Sequence, residues 1–469
     1  MKILEKNIKN KIHLTGIGGI GMSGIAEVLF SQGYKIQGSD LLNNNNTKRL
    51  KKMGIKVFLG HSQKNLKNVN ILVISSAIKK NNTELKFAKK NKIPVYKRSD
   101  MLAALMKYNE SIAVSGSHGK TTTTSLISSV LENANFDPTT IIGGIVNQYK
   151  STTRIGKSNW MVVEADESDG SLIDLFPKIA VLTNINKEHM DFYKNYSNLK
   201  KYFLNFTNNI PFDGVAIYCN DNTDLKKLLL ESKKRNKISY GLNKDSDVRA
   251  TNILINEKGS FFDINIKKTN LLKKETINKI RLNVLGRHNI QNSLAAVTVA
   301  KILNINTNKI KKAFQKFKGV KRRFTLVCNF KGIKIIDDYA HHPEEIKATL
   351  ELARDLKPKK IIVIFQPHRY SRFKNLYYDF KKVLKNCDRL YVANVYSAGE
   401  KKIKNISKEK FVFEMNKIKK NFAKSLNNIN SLPEIILNEG NKGDIVIFIG
   451  AGDVSKWVND LPSKLKKFS

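Results

Sequence analysis

The sequence predicts an α/β protein with three βα domains in series, and three observations lead to this prediction. The chain has 469 residues, a length that corresponds to about three domains of ordinary size. Short apolar runs alternate along it with helix-forming segments, as expected for parallel sheets covered by helices. Two of the turns between such a run and the following helix are rich in glycine, at residues 16–21 and 115–124. We place the domains at residues 1–109, 110–321 and 322–469.

The composition is that of a globular protein with a large excess of basic residues. Lysine and arginine number 83 against 40 aspartate and glutamate residues, which gives a net charge of +43, and 41% of the residues are hydrophobic. The lysines are spread along the whole chain among asparagine and isoleucine, so we interpret them as solvated surfaces. No specific nucleic-acid partner is therefore expected, whereas acidic, phosphorylated substrates would be attracted by such a field.

The sequence gives no indication of export or membrane insertion. No apolar run approaches the roughly 20 residues that a membrane-spanning helix needs. Residues Met1–Lys11 lack the apolar segment of a signal peptide. The cysteines, Cys219, Cys328 and Cys387, are odd in number and far apart, so they predict neither a disulfide framework nor a metal cluster. A reducing, cytoplasmic location is expected.

The first domain opens with a glycine turn of the kind that binds a diphosphate. A short strand at Lys11–Leu14 is followed by Gly16, Gly18 and Gly21 in the spacing G-x-G-x-x-G, and then by a helix at Met22–Ser31. In that context the glycines let the backbone approach a diphosphate at the helix N-terminus. The motif alone fits both a NAD-dependent dehydrogenase and a protein that binds a uridine diphosphate sugar.

Two further strand ends of this domain are candidates for the same ligand site. A strand at Tyr34–Gln37 runs into Ser39-Asp40, about where such folds carry an acid that binds a ribose. Another strand, Ile71–Ile74, ends in Ser75-Ser76-Ala77, whose small side chains permit close approach of a ligand, although a plain strand-to-helix turn would look the same. Ligands of open parallel sheets bind beyond the carboxyl ends of the strands.

The second domain is organised around the motif SGSHGKTTTT at Ser115–Thr124. The motif follows the apolar run Ile112–Val114 and precedes a helix-forming segment, so backbone N–H groups and a helix N-terminus converge on a phosphate. Lys120 adds a point charge for the terminal phosphates, and the Thr121 hydroxyl can ligate magnesium. The loop is shorter than the common G-x-x-x-x-G-K-[ST] pattern, and taken alone it could also be a helix start with a threonine near the cap.

An acidic strand end follows in the second domain. The strand Trp160–Val163 leads into Glu164-Ala165-Asp166-Glu167-Ser168-Asp169. Carboxylates at the end of a strand near a phosphate loop suit a magnesium ligand, and Glu164 is the first of them. The next strand, Ile179–Leu182, is followed by His189, which is either a ligand of a second metal ion or a turn residue.

The remainder of the second domain adds strands, helices and a basic junction. Alternating segments between Val248 and Leu285 predict antiparallel strands added to the sheet. Residues 286–292 open a predicted helix at Ser293–Leu303, and Asn289 is a candidate for its cap. A helix at Asn308–Phe317 leads to the basic segment 319–324, which is suited to phosphate contacts.

In the third domain, two consecutive strand ends carry acidic, imidazole and guanidinium side chains. The strand Ile333–Ile336 ends in Asp337-Asp338-Tyr339-Ala340-His341-His342-Pro343, in which Pro343 is placed to open a helix. The strand Ile361–Phe365 ends in Gln366-Pro367-His368-Arg369-Tyr370-Ser371-Arg372. Charged residues are rarely buried without partners, so core packing does not account for these two ends. A later strand, Ile445–Ile449, leads to a closing helix.

Taken together and in this order, the motifs resemble the Mur ligase family along essentially the whole chain, and within it the alanine-adding type. The segments that carry the resemblance are GIGGIGMSGIAEVL, SGSHGKTTT, EADESDGS, NINKEHMD, GRHNIQNSLAA, FKGVKRRF, DDYAHHPEEI, FQPHRYSR, YSAGE and GAGDV. The short phosphate loop is the form that this family uses. The resemblance implies an N-terminal Rossmann-like UDP-binding domain, a central P-loop-type ATPase, and a Rossmann-like C-terminal domain that swings to close the site.

The resemblance also implies ligand contacts for individual residues. The UDP-sugar would be bound by Gly16, Gly18, Gly19, Ile20, Gly21, Ser39, Asp40, Ser75, Ser76 and Ala77. ATP would be bound by Gly116, Ser117, His118, Gly119, Lys120, Thr121, Thr122, His288, Asn289, Arg323 and Asp338. The amino acid would be bound by Tyr339, His341, His368, Arg369 and Arg372, since an arginine can grip its carboxylate bidentately. Thr121 and Glu164 would hold one metal ion and His189 a second, as Mg²⁺ or Mn²⁺.

The implied reaction joins L-alanine to the lactyl carboxylate of UDP-N-acetylmuramate at the expense of ATP, in peptidoglycan precursor synthesis. ATP would phosphorylate the carboxylate to an acyl phosphate, and the amine of alanine would then displace phosphate. The catalytic residues would be Lys120, His189 and Arg323 for charge neutralisation, and His341 as the candidate base for the amine. A monomer or weak homodimer is expected.

Three rival interpretations explain less of the sequence. A related ligase attaches a whole peptide to the same sugar nucleotide during cell-wall recycling, but FQPHRYSR and NVYSAGE favour the alanine-adding type. A NAD dehydrogenase would account for Gly16–Asp40 and leave the phosphate loop without a role. A nucleic-acid-binding protein would account for the charge alone, and a steep salt dependence of binding would reveal it.

Overall fold

The computed structural model of the chain describes residues 10–147, 149 and 151–468. The predicted absence of a signal peptide concerns residues 1–11, of which 1–9 lie outside this range. The described residues form two compact units. The first comprises the chain up to Leu254 together with Ser260–Val284 and Asn289–Val320, and the second comprises Ile255–Gly259, Leu285–His288 and the chain from Lys321 onward.

The N-terminal part of the first unit is a parallel sheet with the strand order β3-β2-β1-β4-β5. Because the order reverses between β1 and β4, the carboxyl ends of these two strands form the crevice where ligands of such sheets bind. The strands are β1 (Lys11–Thr15), β2 (Lys35–Asp40), β3 (Lys56–Leu59), β4 (Ile71–Ile74) and β5 (Val95–Lys97), and the helices are α1 (Ile20–Ser31), α2 (Asn45–Lys52), α3 (Thr83–Lys90) and α4 (Arg98–Lys107).

The second sheet of this unit has the strand order β15-β14-β13-β12-β11-β10-β6-β9-β7-β8. Its strands are β6 (Glu110–Ser115), β7 (Thr139–Val146), β8 (Ser151–Arg154), β9 (Trp160–Glu164), β10 (Ile179–Leu182), β11 (Val215–Cys219), β12 (Lys237–Gly241), β13 (Val248–Asn256), β14 (Gly259–Ile266) and β15 (Glu275–Leu282). The helices are α5 (Lys120–Asn133), α6 (Met190–Tyr193), α7 (Tyr196–Asn208), α8 (Thr223–Glu231), α9 (Arg287–Ile302) and α10 (Thr307–Lys316).

Strand pairing in the second sheet confirms the predicted combination of parallel and antiparallel segments. Strand β6, which precedes the phosphate loop, pairs in parallel with β9 and β10, so the carboxyl ends of all three strands lie at one edge. Strand β14 pairs antiparallel with β15, as predicted for the segment between Val248 and Leu285. The parallel core therefore places the phosphate loop, the acidic strand end and the segment that follows β10 close together.

The predicted starts of helices α1 and α9 were wrong: α1 begins at Ile20 rather than Met22, and α9 differs by more. It begins at Arg287 rather than at Ser293, so Asn289 lies in its first turn and is not its cap. The preceding Gly286 has φ +105°, a left-handed conformation that suits glycine and separates the helix from the chain before it. Asn289 is 8% exposed, so its side chain belongs to the buried side of the helix.

The second unit contains a third sheet with the strand order β16-β17-β21-β18-β19-β20. Its strands are β16 (Thr325–Phe330), β17 (Ile333–Asp338), β18 (Ile361–Phe365), β19 (Arg389–Val392), β20 (Ala423–Ser425) and β21 (Ile445–Ile449). The helices are α11 (Pro343–Asp355), α12 (Tyr370–Asn375), α13 (Tyr377–Leu384), α14 (Lys408–Ile418), α15 (Leu432–Glu439) and α16 (Val454–Leu465).

The central strand β18 shows why this sheet has helices on both faces. Its residues are all buried, and alternate residues belong to separate hydrophobic clusters: Ile361, Val363 and Phe365 to one, Ile362 and Ile364 to the other. A strand with two buried faces reads as a continuous apolar run, as parallel strands of α/β proteins do. The predicted α/β fold, with three sheets covered by helices, is confirmed.

The structure can be compared with two further observations on the sequence, which concern membrane-spanning segments and cysteines. In the part of the chain that the structure describes, no helix is both long and apolar enough to cross a membrane. Cys219, Cys328 and Cys387 all lie within the described residues, and all three are free thiols.

Candidate active site

The glycine turn of the first sheet lies at the carboxyl ends of three adjacent strands. The backbone N–H groups of Gly16 and Ile17 donate to the carbonyl oxygen of Ser39 at 2.8 and 3.1 Å, and the N–H of Ser75 donates to the carbonyl of Thr15 at 3.1 Å. A Cβ at Gly16, where φ is +81°, would lie 3.0 Å from the Cβ of Ser75. The structure therefore brings the three predicted UDP-sugar segments together.

Asp40 holds the glycine turn in this structure. Its carboxylate accepts the N–H of Gly18 at 2.8 Å, and the amides of Asn44 and Asn46 donate to the carbonyl of Gly18 at 3.1 and 2.9 Å. A Cβ at Gly18 would lie 2.8 Å from Thr47, so this position has no room for a side chain. Gly19, Ile20, Ser76 and Ala77 are exposed beside the turn, where a ligand can reach them.

Arg98, at the start of α4, connects this turn with the acidic segment of the second sheet. A Cβ at Gly21 would lie 3.2 Å from the Cδ of Arg98, and the Arg98 guanidinium is 3.6 Å from a carboxylate oxygen of Asp169. The sequence analysis did not identify Arg98, since a lone arginine before a predicted helix gives no local signal.

The phosphate loop has the strand, turn and helix that its sequence predicts. Gly116 has φ +140° and Gly119 has φ +82°, and a Cβ at these positions would lie 2.0 Å from Thr183 and 2.7 Å from Asn292. The backbone N–H groups of Ser117 and His118 donate to the carbonyl and the side-chain oxygen of Asn184 at 3.1 and 2.9 Å. Both glycines are thus required by conformation and by the closeness of the neighbouring chain.

Lys120, the first residue of α5, is held by oxygen atoms on three sides. Its Nζ is 2.7 Å from the carboxylate of Glu167 and donates to the carbonyls of Gly116 and Ser117 at 2.6 and 3.2 Å. Burial disfavours the ammonium form, but the carboxylates of Glu167, Asp166 and Glu164 outweigh it and raise the pKa of Lys120. Lys120 is therefore a permanent positive charge at the helix N-terminus, next to Thr122, which is buried in the same turn.

Thr121 and Glu164, the residues predicted for one metal ion, lie side by side. The Thr121 hydroxyl donates to Oε1 of Glu164 at 3.2 Å, and the N–H of Gly143 donates to Oε2 at 2.7 Å. Burial raises the pKa of Glu164, and the charge of Lys120 opposes that shift. A hydroxyl and a carboxylate beside a phosphate loop form an oxygen donor set of the kind that Mg²⁺ prefers, so these residues fit the ion.

His189, the residue predicted for a second metal ion, faces two carboxylates that the sequence analysis left without a role. Its Nε2 is 3.4 Å from Glu167 and 3.9 Å from Glu188. One ligand atom from each of the three residues lies within 4.8 Å of the others, a grouping that fits a divalent cation. Glu167 is 1% exposed, and the Tyr193 hydroxyl donates to its backbone carbonyl. Burial alone would lower the pKa of His189, but the hydrogen bond and the charge of Glu167 outweigh this effect and raise it.

The first two turns of α9 contribute Asn289 and Asn292, and Asn292 lies next to the phosphate loop. The Asn292 amide donates to the side-chain oxygen of Asn289 at 3.2 Å, and the position of a Cβ on Gly119 is 2.7 Å from the Asn292 oxygen. Asn289 is thus linked through Asn292 to the phosphate loop, and its contact with ATP stays a prediction. Asn292 was missed, although it stands in the quoted segment GRHNIQNSLAA.

In the second unit, the end of β17 brings together four of the predicted residues around Glu345. The Arg323 guanidinium is 3.6 Å from the Glu345 carboxylate and lies over the Tyr339 ring at 5.5 Å. His341 Nδ1 is 3.1 Å from both the Glu345 carboxylate and the Tyr339 carbonyl. Asp338 accepts the N–H groups of Phe324 and Ala340 at 2.8 Å each, and burial raises its pKa to about 6.

The end of β18 places the other predicted amino-acid residues beside His341. The His368 ring is 5.8 Å from the His341 ring and stacks on Tyr396 at 5.4 Å. Arg372 is 3.3 Å from Nδ1 of His368, and Arg369 is 2.8 Å from the carboxylate of Glu400. Burial, together with the charges of His341, Arg372 and Arg369, lowers the pKa of His368 to about 4.

His288, predicted to contact ATP, is the second residue of α9 and belongs with Arg323 to the second unit, whereas α9 from Asn289 onward belongs to the first. Burial and then the charge of Arg323 lower the pKa of His288 to about 4, against a smaller opposite effect of Glu345. The imidazole is therefore neutral at physiological pH, and it can contact a base or ribose as an uncharged group.

Comparisons with known proteins give the family. Residues 11–110 match the model described as "Mur ligase family, catalytic domain", residues 114–300 the "Mur ligase middle domain", and residues 322–452 the "Mur ligase, glutamate ligase domain". A UDP-N-acetylmuramate–L-alanine ligase of Rickettsia bellii is 46% identical over 100% of both chains. The chain belongs to the Mur ligase family. A Mur ligase of the same name from Rickettsia typhi is 48% identical over 99% of this chain and 95% of its own.

Solved Mur ligase structures share the fold. The UDP-N-acetylmuramate–alanine ligase of Thermotoga maritima has a TM-score of 0.80 and 27% identity, and the match covers 98% of this chain and 100% of that one. The murein peptide ligase of Psychrobacter arcticus has a TM-score of 0.68 with 20% identity, over 97% of this chain and 98% of that one. The second likeness shows the fold alone.

Proposed function

We propose that this Mur ligase joins L-alanine to the lactyl carboxylate of UDP-N-acetylmuramate, with ATP converted to ADP and phosphate. The observation that carries the proposal is the identity of 46–48% over nearly the whole chain with relatives of that name. The phosphate loop, the acidic strand end and the amino-acid residues all lie at carboxyl ends of strands, where substrates of this fold bind. The product is a precursor of peptidoglycan.

The first step is phosphoryl transfer from ATP to the lactyl carboxylate. The bond between the γ-phosphorus and the bridging oxygen of ATP breaks, and a bond from a carboxylate oxygen to that phosphorus forms, giving an acyl phosphate and ADP. Lys120 and the backbone N–H groups of the phosphate loop neutralise charge on the transferred group, and Arg323 adds to this. His118, Thr122, Asn289, His288 and Asp338 complete the proposed ATP contacts.

The proposed metal ligands are Thr121 and Glu164 for one ion, and His189 with Glu167 and Glu188 for a second. When bound, Mg²⁺ or Mn²⁺ would supply positive charge to the phosphate oxygens. Because Glu167 touches both Lys120 and His189, it aligns the positive charge at the phosphate loop with the second metal site.

The second step is attack of the alanine amine on the acyl carbon, after which phosphate leaves from a tetrahedral intermediate. His341 is the proposed base for the amine. Its Nδ1 faces two acceptors, the Tyr339 carbonyl and the Glu345 carboxylate, so Nδ1 carries the hydrogen and Nε2 is the nitrogen that can take a proton. Arg372 and Arg369, with the neutral His368, are proposed to bind the alanine carboxylate.

The test is phosphate release with ATP, Mg²⁺ and UDP-N-acetylmuramate, with each small amino acid added in turn. We expect release that requires both the sugar nucleotide and L-alanine and that disappears in Lys120→Ala. Glu132→Gln, in the same helix α5 but paired with Arg154, is the control that should keep its activity. Release with a tripeptide and none with alanine would instead assign the chain to the peptide-adding ligases of cell-wall recycling.

Three further expectations remain proposals. We propose domain boundaries after residues 109 and 321, and the three family matches, at residues 11–110, 114–300 and 322–452, support this proposal. We also propose a monomer or weak homodimer, and a cytoplasmic location, where ATP and nucleotide sugars are made. Size-exclusion chromatography with light scattering and limited proteolysis would test the first two.

A further inference from the structure

Glu84 is a buried carboxylate of the first sheet that no proposed step uses. It lies in the first turn of α3 and is 0% exposed. The hydroxyls of Thr15 and Ser39 donate to its Oε2 at 2.7 Å each, and the amide of Asn65 donates to its Oε1 at 2.7 Å. The N–H of Ser62 is 3.2 Å from Oε1, and Nε2 of His13 is 3.3 Å from Oε2. One carboxylate therefore joins β1, β2 and the loop after β3.

Glu84 is ionised and so acts only as an acceptor. Burial opposes its ionisation, but the hydrogen bonds from His13, Ser39 and Asn65 and the charge of His13 lower its pKa to about 2. An ionised carboxylate surrounded by donors fixes the direction of each of those hydrogen bonds. The same is not true of a neutral amide, which has one donor end.

The direction of these bonds determines the proton position on His61. The single hydroxyl hydrogen of Ser39 points to Glu84. Nδ1 of His61 is 2.9 Å from the Ser39 oxygen, and in this hydrogen bond Ser39 must therefore be the acceptor. Nδ1 of His61 must therefore carry a hydrogen. In the neutral ring Nε2 is then an acceptor, and the His61 side chain is 11% exposed.

We propose that Glu84 is a positioning residue of the UDP-sugar site, which acts by fixing the Ser39 hydroxyl and the tautomer of His61. The inference rests on the proposed function, since Ser39 is one of its UDP-sugar contacts. The backbone carbonyl of Ser39 also receives the N–H groups of Gly16 and Ile17, so a shift of Ser39 would disturb the diphosphate turn itself. His61 then offers an acceptor nitrogen to a hydroxyl or imide N–H of the uridine.

The first experiment measures UDP binding by calorimetry for the full-length protein and the variants Glu84→Gln and Thr15→Val. Both variants remove a hydrogen bond at the same buried carboxylate, but only Glu84→Gln frees Ser39 and His61. We expect UDP affinity to fall at least tenfold in Glu84→Gln and to stay within twofold in Thr15→Val. In the ligase assay the KM for the sugar nucleotide should rise by the same factor, with kcat and the KM for ATP unchanged.

Equal loss of UDP affinity in the two variants would show that Glu84 acts through general stability, and would overturn the inference. Unchanged affinity in Glu84→Gln would also overturn it while leaving the proposed function in place. If the wild-type protein itself does not bind UDP, the proposed substrate is wrong, and this inference falls with it.

A second experiment remains informative if Glu84→Gln does not fold. Nitrogen-15 NMR of the wild-type histidines should show His61 with its hydrogen on Nδ1, and Ser39→Ala should remove that preference and weaken UDP binding at least tenfold. Where both variants fold, the double variant should bind UDP no more weakly than either single one. A neutral His61 with its hydrogen on Nε2, or additive losses, would contradict the proposal.

Discussion

Glu167 contacts two of the predicted catalytic side chains, Lys120 and His189. Its carboxylate lies 2.7 Å from Lys120 and 3.4 Å from His189, in a place with almost no access to solvent. Loss of either partner would leave this buried carboxylate charge poorly compensated, because water cannot take the partner's place. Glu167 is therefore expected to matter for metal binding as well as for the position of Lys120.

Replacement of Glu167 by Gln should weaken the binding of Mn²⁺. The amide keeps the shape of the side chain but removes the negative charge of a carboxylate ligand near His189 and Glu188. We therefore expect the Kd for Mn²⁺, measured by electron paramagnetic resonance, to rise roughly tenfold or more. Glu188→Gln should have a similar effect. Glu132→Gln removes a carboxylate of helix α5 that pairs with Arg154, and should leave the Kd for Mn²⁺ unchanged. Equal affinity in Glu167→Gln and wild type would exclude Glu167 from the metal site.

His368 should titrate far below an ordinary histidine. Burial first, and then the electrostatic effects of His341, Arg372 and Arg369, place its pKa at about 4, against about 6.5 for a free side chain. Between pH 6.5 and 4 the unfolded chain therefore binds more protons at this residue than the folded chain, so this histidine reduces stability as the pH falls through that window. NMR titration of the ring should give a midpoint near 4.

A matched pair of tyrosine substitutions tests the cause of this shift. Tyr396 stacks on the His368 ring, so Tyr396→Ala should expose the imidazole and move its midpoint toward 6.5. Tyr378 is 78% exposed, and its ring contact within the described part of the chain is with Tyr377 rather than with His368. Tyr378→Ala should therefore leave the midpoint of His368 unchanged. A wild-type midpoint above 6 would contradict the assigned environment.

At the scale of single elements, helix α5 depends on the left-handed glycine that precedes it. Gly119 has φ +82°, and a Cβ there would lie 2.7 Å from the side-chain oxygen of Asn292. Gly119→Ala should therefore cost about 1–3 kcal/mol of stability and misplace the N–H groups at the helix start. We expect ATP affinity, measured by calorimetry, to fall at least tenfold.

Gly54 provides the control for this substitution. Its φ is +92°, but the nearest atom to a Cβ would be a Phe30 ring carbon at 3.9 Å, an ordinary contact. Gly54→Ala should carry a similar backbone strain without any loss of ATP affinity. If both variants lost affinity equally, the effect at Gly119 would reflect stability rather than the shape of the phosphate loop.

The elements that the sequence predicts best are those whose bounds depend on neighbouring residues alone. The predicted limits of β4, β10, β18 and β21 agree with the structure, because apolar runs and their flanking turns define them locally. Pro343 opens α11, as its fixed φ favours. The start of α9 was missed because Asn289 resembles a cap locally, whereas in the structure the helix begins at Arg287 and Asn289 is buried within its first turn.

The contacts that the sequence does not predict join residues far apart in the chain. Glu84 meets Thr15 and Ser39 across 69 and 45 residues, and these distances become short only because β1 pairs with both β2 and β4. Glu167 was one of four neighbouring acids, and nothing in their order indicates which one reaches Lys120. Strand order decides such pairings, and it cannot be read from the spacing of apolar residues.

At the scale of the whole molecule, the dominant property is a net charge of +43 carried by lysines along the entire chain. This charge does not indicate one binding patch, because the basic residues are not concentrated in any single segment of the sequence. Its expected effect is on the encounter with small anions: ATP and the sugar nucleotide both carry several negative charges, and a positive surface raises their local concentration. L-alanine is a zwitterion and gains little from the same field.

The two kinds of substrate should therefore respond differently to salt. Raising the ionic strength from about 0.01 to about 0.1 M shortens the screening length from roughly 30 to roughly 10 Å, so distant lysines no longer attract the anions. We expect kcat/KM for ATP and for UDP-N-acetylmuramate to fall severalfold, at a fixed concentration of free Mg²⁺, while the KM for L-alanine stays within twofold. An equal change for alanine would indicate a general effect of salt on the protein. Unchanged values for the two anions would mean that the excess charge serves solubility and has no part in catalysis.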